Sequence, residues 1–427
     1  MAAFQMKIRL RARPVSSTIV IATGLVLIFL ITLPCRTLAG PILGARSAAM
    51  GCAFIAIDGD PSALAHNPAG LINASGSRLY LGASAVILSS RYENSEGQSE
   101  RTRPEVFYPP HFFFSQEIGK RDVVIGLGLY SPFGIGGRSW REGGLTRYIS
   151  TENTITTYSL NPAIAWKISP WLAVGVSPCY MTVQSEAEKM IDQSMLATSD
   201  ARSILKVDGG GYGYVVGILV HPVKNLSLGC SYRSKVRVDQ QGSASLENIA
   251  PVLQGVFGGS QFETRAKTSL DFPSIWGVGI AWRLSEKLLL TLDLEQYGWS
   301  SFDRQDLDFR TELLQAGFVD ISIPYAWENS WVLDMGVELE LNRKFAVRAG
   351  YSFIQDFIPD QTFSPANPGD DQHAFAIGIG YQAGGDLALD IFYVIDFFQS
   401  REVRNEILSG TYDSICHFGG MSLYYCF

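Results

Sequence analysis

Apolar and polar residues alternate with a period of two along most of this 427-residue chain. In Leu288–Leu294, Leu288, Leu290, Leu292 and Leu294 fall on one face of an extended segment, and Thr291 and Asp293 fall on the other. Residues 331–341 set Trp331, Leu333, Met335, Val337, Leu339 and Leu341 against Asp334, Gly336, Glu338 and Glu340. Residues 276–284 repeat the pattern with Trp276, Val278, Ile280, Trp282 and Leu284. A soluble sandwich with a polar outer face also alternates. The alternating spans are, however, often more than ten residues long, and a membrane-crossing strand needs roughly 9–11, which favours a transmembrane β-barrel.

The connections point the same way. Short turns fall near Gly119-Lys120, Ser169-Pro170, Pro222-Val223, Ser285-Glu286, Asn342-Arg343 and Gly384-Gly385. Between them lie longer polar or Gly/Pro-rich stretches near 90–104, 133–151, 188–199, 240–264, 301–325, 356–370 and 400–410. Such alternation of short and long connections is that of periplasmic turns and extracellular loops. One strand per gap gives about fourteen, an even number as the architecture expects. The expected strands are 78–89, 105–118, 121–132, 152–168, 171–187, 200–221 and 224–239, followed by 265–284, 287–300, 326–341, 344–355, 371–383, 386–399 and 411–427.

Composition changes the picture mainly at the N-terminus. Residues 1–39 hold no acid and five bases, Lys7, Arg9, Arg11, Arg13 and Arg36, and four of these precede an apolar run from Val15 to Leu33. With Thr37-Leu38-Ala39 this order reads as a secretory signal cleaved after Ala39. An uncleaved anchor helix is the alternative, because the run approaches the roughly 20 apolar residues that span a bilayer. Pro34 disfavours a lipid-anchored Cys35. Removing 39 residues and five bases from a chain of charge −7 leaves 388 residues at −12, which argues against nucleic acid or an anionic surface as partner. The remaining cysteines, Cys52, Cys179, Cys230, Cys416 and Cys426, are odd in number and scattered without a CxxC pair. They suit buried or lipid-facing thiols better than a disulfide framework or a zinc site. After the signal, no stretch reaches the 18 or so apolar residues of a helical span. Aromatic content of 12%, 42 glycines and low charge suit a barrel instead.

Residues 40–77 lack steady alternation and precede the first strand, so the expected domains are a signal (1–39), an N-terminal hatch (40–77) and the barrel (78–427). Irregular backbone at membrane depth must be buried in protein or line a lumen, which a plug inside the barrel satisfies. Within this segment Gly44-Ala45-Arg46-Ser47-Ala48-Ala49-Met50-Gly51, Ala53-Phe54, Asp60-Pro61-Ser62-Ala63 and Asn67-Pro68-Ala69-Gly70-Leu71 stand in order. Further on come Tyr130-Ser131-Pro132-Phe133-Gly134, Leu160-Asn161-Pro162-Ala163-Ile164-Ala165, Gly298-Trp299-Ser300-Ser301-Phe302, Arg348-Ala349-Gly350-Tyr351 and Pro368…Asp371…His373. Taken in order over nearly the whole chain, these resemble the FadL/TodX family of outer-membrane transporters for long-chain fatty acids and aromatic hydrocarbons. Cys52 departs from the small glycine usual there. The resemblance implies a 14-stranded barrel with an N-terminal hatch, extracellular capture of an apolar ligand, and sideways release at a kinked third strand.

The hatch residues expected to matter are Met50, Phe54, Asn67, Pro68 and Ala69, although Asn-Pro by itself favours a simple turn. Leu246, Ile249, Ala250, Leu253, Val256 and Phe257 recur near helical spacing in an expected loop, either as a helix packed on the rim or as one wall of an apolar capture groove. Leu307, Phe309, Leu313, Leu314 and Phe318 offer a second wall. Gly126 and Gly128 mark either the lateral opening or room made for the hatch. No GxSxG, HExxH or Walker pattern is present and the five histidines are dispersed, so no catalytic residue, metal or cofactor is expected.

The expected function is passive uptake of hydrophobic compounds through a hatch-plugged monomeric barrel in the outer membrane of a Gram-negative bacterium, where lipid and lipopolysaccharide surround it. Met421, Leu423, Tyr425 and Phe427 share a face that resembles the recognition signal of the barrel-assembly machinery. A barrel enzyme of lipase or protease type, or an adhesive barrel, is the alternative.

Overall fold

Because outward and inward side chains alternate strictly, successive strands pair edge to edge until the sheet meets itself and no edge remains. The computed structural model describes residues 43–427 apart from 120–121 and 315–316, so the expected signal lies outside the described residues. Fourteen antiparallel strands close the barrel. They are β1 (Ser77–Glu93), β2 (Pro110–Ile118), β3 (Val123–Tyr130), β4 (Glu152–Ser169), β5 (Leu172–Ile191) and β6 (Ala201–Val223). β7 runs as Leu226–Arg233 and Val236–Glu247, and β8 as Phe262–Phe272 and Ile275–Arg283. β9 (Leu288–Tyr297), β10 (Ser330–Glu340), β11 (Phe345–Ile354), β12 (Gln372–Gln382), β13 (Leu387–Phe398) and β14 (Gly410–Cys426) complete the wall. Each pairs with the next, and β14 returns to β1 from Arg78↔Cys426 to Glu93↔Thr411.

Outward faces carry the apolar set that the alternation assigns. Val278, Ile280, Leu292, Leu294, Met335, Leu339, Met421 and Leu423 are exposed, while Thr291, Asp293, Asp334 and Glu338 on the same strands are buried. Outward aromatics gather at two levels, as membrane-interface girdles do. Trp166, Trp171, Trp282, Phe345 and Tyr425 lie towards the short-turn end, and Tyr180, Tyr212, Tyr214, Tyr232 and Trp276 lie towards the long loops. Beyond the second level the outward residues become charged, as in Lys206, Asp208, Arg237 and Asp239, so β5 to β8 rise out of the apolar belt. Cys52, Cys179 and Cys416 are buried, and Cys230 is exposed.

Two boundaries differ from the sequence reading for a physical reason. β7 continues to Glu247, through a stretch expected to be loop, because Val236, Val238, Gln240, Ala244 and Leu246 keep the inward period while charged and small residues take the outward one. β3 ends early at Tyr130, and Ile135–Ser139 pairs again with β4 after an interruption at Ser131–Gly134. Within 240–264 the only helix among the described residues is the single turn Gln254–Phe257. In the 301–325 stretch, Arg304–Phe309 and Ile321–Pro324 pair as a hairpin.

Residues 43–74 run inside the barrel, almost all buried. They comprise a short helix (Ala45–Ala49) and two 3₁₀ turns, Pro61–Ala65 and Pro68–Leu71. Both turns start on the same chemistry. Asp60 and Asn67 accept from the backbone N–H of Ser62 and Ala69, and a proline follows, whose missing N–H is no loss at the first position. Between helix and turns, Gly51 and Cys52 are both left-handed, at φ 62° and 67°. Cβ atoms disfavour that region by roughly 1–2 kcal/mol, so Cys52→Gly should raise stability by up to about 1 kcal/mol once the looser unfolded chain is counted. Urea unfolding in detergent micelles tests this: the midpoint should rise at constant slope.

Candidate functional site: a lumen segment beneath an aromatic cluster

In the short-turn half of the lumen, polar contacts from β6, β7, β9 and β11 tie the N-terminal segment to the wall. Asp293 of β9 accepts from the backbone N–H of Phe54 and Ile55 at 2.6 and 2.8 Å. Ser352 of β11 donates to Gly51 O at 2.7 Å, Ser231 of β7 to His66 O at 2.7 Å, and Arg233 to Ala65 O at 2.8 Å. Asn67 is fully buried, and its amide donates to Ile55 O at 2.8 Å and to Ile218 O of β6 at 3.0 Å. Backbone therefore meets wall at 67–69, and the wall is glycine there. A Cβ on Gly217 would strike Asn67, and one on Gly175 would strike the Pro68–Ala69 peptide. Burial, with the Arg233 charge adding to it, pushes the His66 imidazole down to about 3, so it stays neutral. Met50 and Phe54 are buried in an apolar cluster with Leu64, Leu71, Tyr80 and Phe113.

A charge network pins the same segment. Arg46 Nε and Nη2 donate to the two oxygens of Glu338 at 2.9 and 2.8 Å, and its Nη1 meets Asp60 at 3.2 Å. Glu338 also accepts from Arg348 Nε at 2.7 Å, and Arg348 Nη1 reaches Asp390 at 2.5 Å. Two guanidiniums and three carboxylates thus alternate across the segment and β10, β11 and β13. Planar, bidentate pairing of this kind gives orientation as well as energy.

Above the segment the interior turns apolar. Trp299 stacks on Phe357 at 4.8 Å and meets Trp327 edge-on at 5.4 Å, and Phe272 lies 4.7 Å from Phe133. Leu246, Ile249 and Phe257, one proposed groove wall, are buried in this cluster with Leu253 packed against it, while Val256 is exposed. The second wall supplies Leu307, Phe309 and Phe318, all buried, with Leu314 exposed. Phe262 joins the two, 5.4 Å from Phe257 and 5.2 Å from Phe318. The structure thus brings the two walls together, in mutual contact. Sequence reading missed Phe133, Phe272, Trp299, Trp327 and Phe357 as lining residues, and their only signal was aromatic residues at strand ends.

The interruption in β3 lies beside this cluster, where Phe133 packs on Phe272 and Trp299. β2 and β3 pair from Ile118↔Val123 to Phe112↔Leu129, and the next backbone hydrogen bond between the two stretches is Arg103 N to Ser139 O at 2.7 Å. Among the described residues none joins them between, and Phe133 sits in that interval. Gly126 and Gly128 lie below it on the inward face, where a Cβ would press on Leu64 and, at Gly126, on Leu71. They make room for the N-terminal segment.

At the long-loop end, residues 356–370 fold into the mouth, with Phe363 fully buried. Trp140, Asn153 and Arg138 donate to Pro365 O, Ala366 O and Pro368 O at 2.9, 2.9 and 2.8 Å. From the other side Arg401 donates to Asp356 at 2.6 Å and to Ile358 O at 2.8 Å, with its guanidinium 4.5 Å over the Phe363 ring. Burial pushes the Asp370 carboxyl up to about 6, against the pull of the Asp371 N–H and Arg401, and burial raises Asp356 also. The docked loop therefore holds these protons to higher pH than a free loop does, and docking strengthens as pH falls towards the ordinary carboxylate range. Hydrogen exchange of the Phe363–Gly369 amides, corrected for intrinsic rates, should show more protection at about pH 5 than at about pH 7.5. Equal protection would remove these carboxyls from the account.

Comparison with known proteins fits this geometry. The model of the family described as outer membrane protein transport protein (OMPP1/FadL/TodX) matches residues 42–427. The long-chain fatty acid transport protein of Escherichia coli O6:H1 is 23% identical over 194 residues, 44% of this chain and 42% of that protein. The protein of that name from Salmonella typhi is 23% identical over 189 residues, 42% of this chain and 41% of that protein. The matched stretch thus spans about two fifths of the length of these relatives. A Pseudomonas aeruginosa FadL homologue superposes with a TM-score of 0.79 at 19% identity, covering 93% of this chain and 99% of that one. The P. putida toluene transporter TodX superposes at 0.74 and 19% identity, covering 90% and 98%. At such identities the likeness carries the fold, while the family match extends from the N-terminal segment to the last strand. The chain belongs to the outer membrane protein transport protein family, OMPP1/FadL/TodX, and is an outer-membrane β-barrel.

Proposed function

We propose that this protein takes up hydrophobic small molecules passively across the outer membrane, with long-chain fatty acids or aromatic hydrocarbons as cargo and residues 40–77 as the hatch. The observation that carries the reading is the division of the lumen, an aromatic cluster above a segment bound into the wall by Asn67 and Arg46. An apolar ligand leaving water gains roughly 25 cal/mol per Å² of apolar surface it buries. Met50, Phe54, Asn67, Pro68 and Ala69 form the hatch, and Leu246, Ile249, Leu253, Val256 and Phe257 form one side of a capture groove that parts to admit ligand. Release is sideways through the interval at Ser131–Gly134, and Gly126 and Gly128 serve it by seating the hatch just below. The barrel acts as a monomer among lipid and lipopolysaccharide, and its outward Met421–Phe427 face meets the barrel-assembly machinery.

Growth of a deletion strain on oleate and on aromatic hydrocarbons tests the reading. Impaired growth on one, restored by the intact gene, supports uptake and names the cargo. Unchanged growth on both contradicts it.

A further inference from the structure

The loop between β11 and β12 sends two of its own rings into the aromatic cluster. Phe357 stacks on Trp299 at 4.8 Å, and Phe363 meets Tyr412 edge-on at 4.9 Å. Residues 363–369 are all buried, although they form neither helix nor strand. Connections ordinarily run over the surface, because buried backbone must find partners. Here the partners come from two sides. Trp140, Asn153 and Arg138 hold three carbonyls of the loop. Opposite them, Arg401 alone donates to Asp356, Asp360 and Ile358 O at 2.6, 2.7 and 2.8 Å and covers the Phe363 ring at 4.5 Å. Arg401 pairs with Tyr412 of β14, so the clasp and the seat of Phe363 are joined. The packing is nevertheless not that of a permanent core. Ser364 Oγ and both the nitrogen and the oxygen of the Asn367 amide are buried and meet no hydrogen-bonding group among the described residues. These groups regain water when the loop lifts, which opposes the gain from burying Phe363.

We propose that this loop is an autoinhibitory plug: Phe363 stands in for an apolar ligand at the edge of the aromatic cluster, Arg401 is its latch, and a ligand binds by displacing it. The inference rests on the transport reading and adds to it that the chain's own ring competes with the cargo. Competition fixes the sign of the effects. A ring that only completes the core supports the site, so loosening it weakens binding. A ring that competes holds part of the population closed, so loosening it strengthens binding.

The test uses the full-length protein in dodecyl maltoside, with toluene and oleate as probes. Binding is read by tryptophan fluorescence, since Trp299 and Trp327 lie in the cluster. Loop docking is read by hydrogen exchange at residues 363–369. In wild type a saturating probe should lower the protection of these amides, whereas ligands ordinarily raise it. Arg401→Gln, its barrel checked by heat-modifiable mobility, should lose the same protection without ligand. It should bind the probe roughly ten-fold more tightly, because charge-assisted contacts no longer hold the closed form. A probe that binds wild type while 363–369 stay as protected as before would overturn the plug. So would an Arg401→Gln variant that keeps its loop docked, or that loosens it and binds no more tightly. Binding of neither probe, by wild type or variant, would instead contradict the transport reading and take the inference with it.

Discussion

Replacing Glu338 with alanine is expected to free the N-terminal segment while the barrel stays closed. Glu338 is the shared acceptor of Arg46 and Arg348, and both of its oxygens are used. Without it, Asp60 and Asp390 remain, and Arg46 keeps only its 3.2 Å contact to Asp60. Breaking a buried pair from one side costs about 3–5 kcal/mol, because the orphaned charge stays out of water. Here most of that cost can be escaped in one way: the segment carrying Arg46 leaves the wall. Trypsin reads this directly, since Arg46 is largely buried when docked. Cleavage after Arg46 should accelerate by orders of magnitude in Glu338→Ala and less in Glu338→Gln, which keeps an acceptor. Unchanged protection of Arg46 would show that the network is incidental to docking.

Asn67→Ala is the second large effect. The wild-type amide accepts from Ala69 N–H and donates to Ile55 O and Ile218 O, the last belonging to the barrel wall. At about 1 kcal/mol per net hydrogen bond, truncation costs about 3 kcal/mol, of which about 1 kcal/mol is lost from the bond to the wall and the rest from the fold of the segment that docks there. Asn67→Asp should be no milder. It keeps the acceptor for Ala69 but turns a carboxylate towards two carbonyl oxygens. In planar bilayers both variants should open to ion-conducting states far more often than wild type. Conductance traces indistinguishable from wild type would demote Asn67 to a local turn residue.

How much of this was legible in the sequence depends on whether a feature is local. Trp331–Leu341 and Leu288–Leu294 showed their faces directly, because a lipid-facing strand repeats one apolar choice every second residue. Asp60-Pro61 and Asn67-Pro68 could be read as turn starts, since cap and proline are adjacent. The extent of β7 could not: Gln240, Gly242 and Ser245 blur the alternation just where the strand leaves the membrane and both faces turn polar. Nor could the charge network. Arg46 and Glu338 are 292 positions apart, and only the closed register brings them together. The Arg348-Ala349-Gly350-Tyr351 motif carries a resemblance in the sequence, and its physical content emerges only in the fold. Arg348 completes the network, and a Cβ on Gly350 would collide with Gly51 of the segment. Likewise the Ser131-Pro132-Phe133-Gly134 motif was visible, but not that the strand resumes at Ile135 and leaves an interval in the wall.

The central claim is that this barrel is a closed passage for apolar molecules and not an aqueous pore. Purified wild-type protein reconstituted into liposomes tests it in one preparation, with sugar-driven swelling and uptake of labelled oleate or toluene measured side by side. The account predicts no swelling above protein-free liposomes, together with saturable uptake of at least one apolar ligand. Swelling that scales with protein and falls with sugar size, without saturable uptake of either ligand, would contradict it.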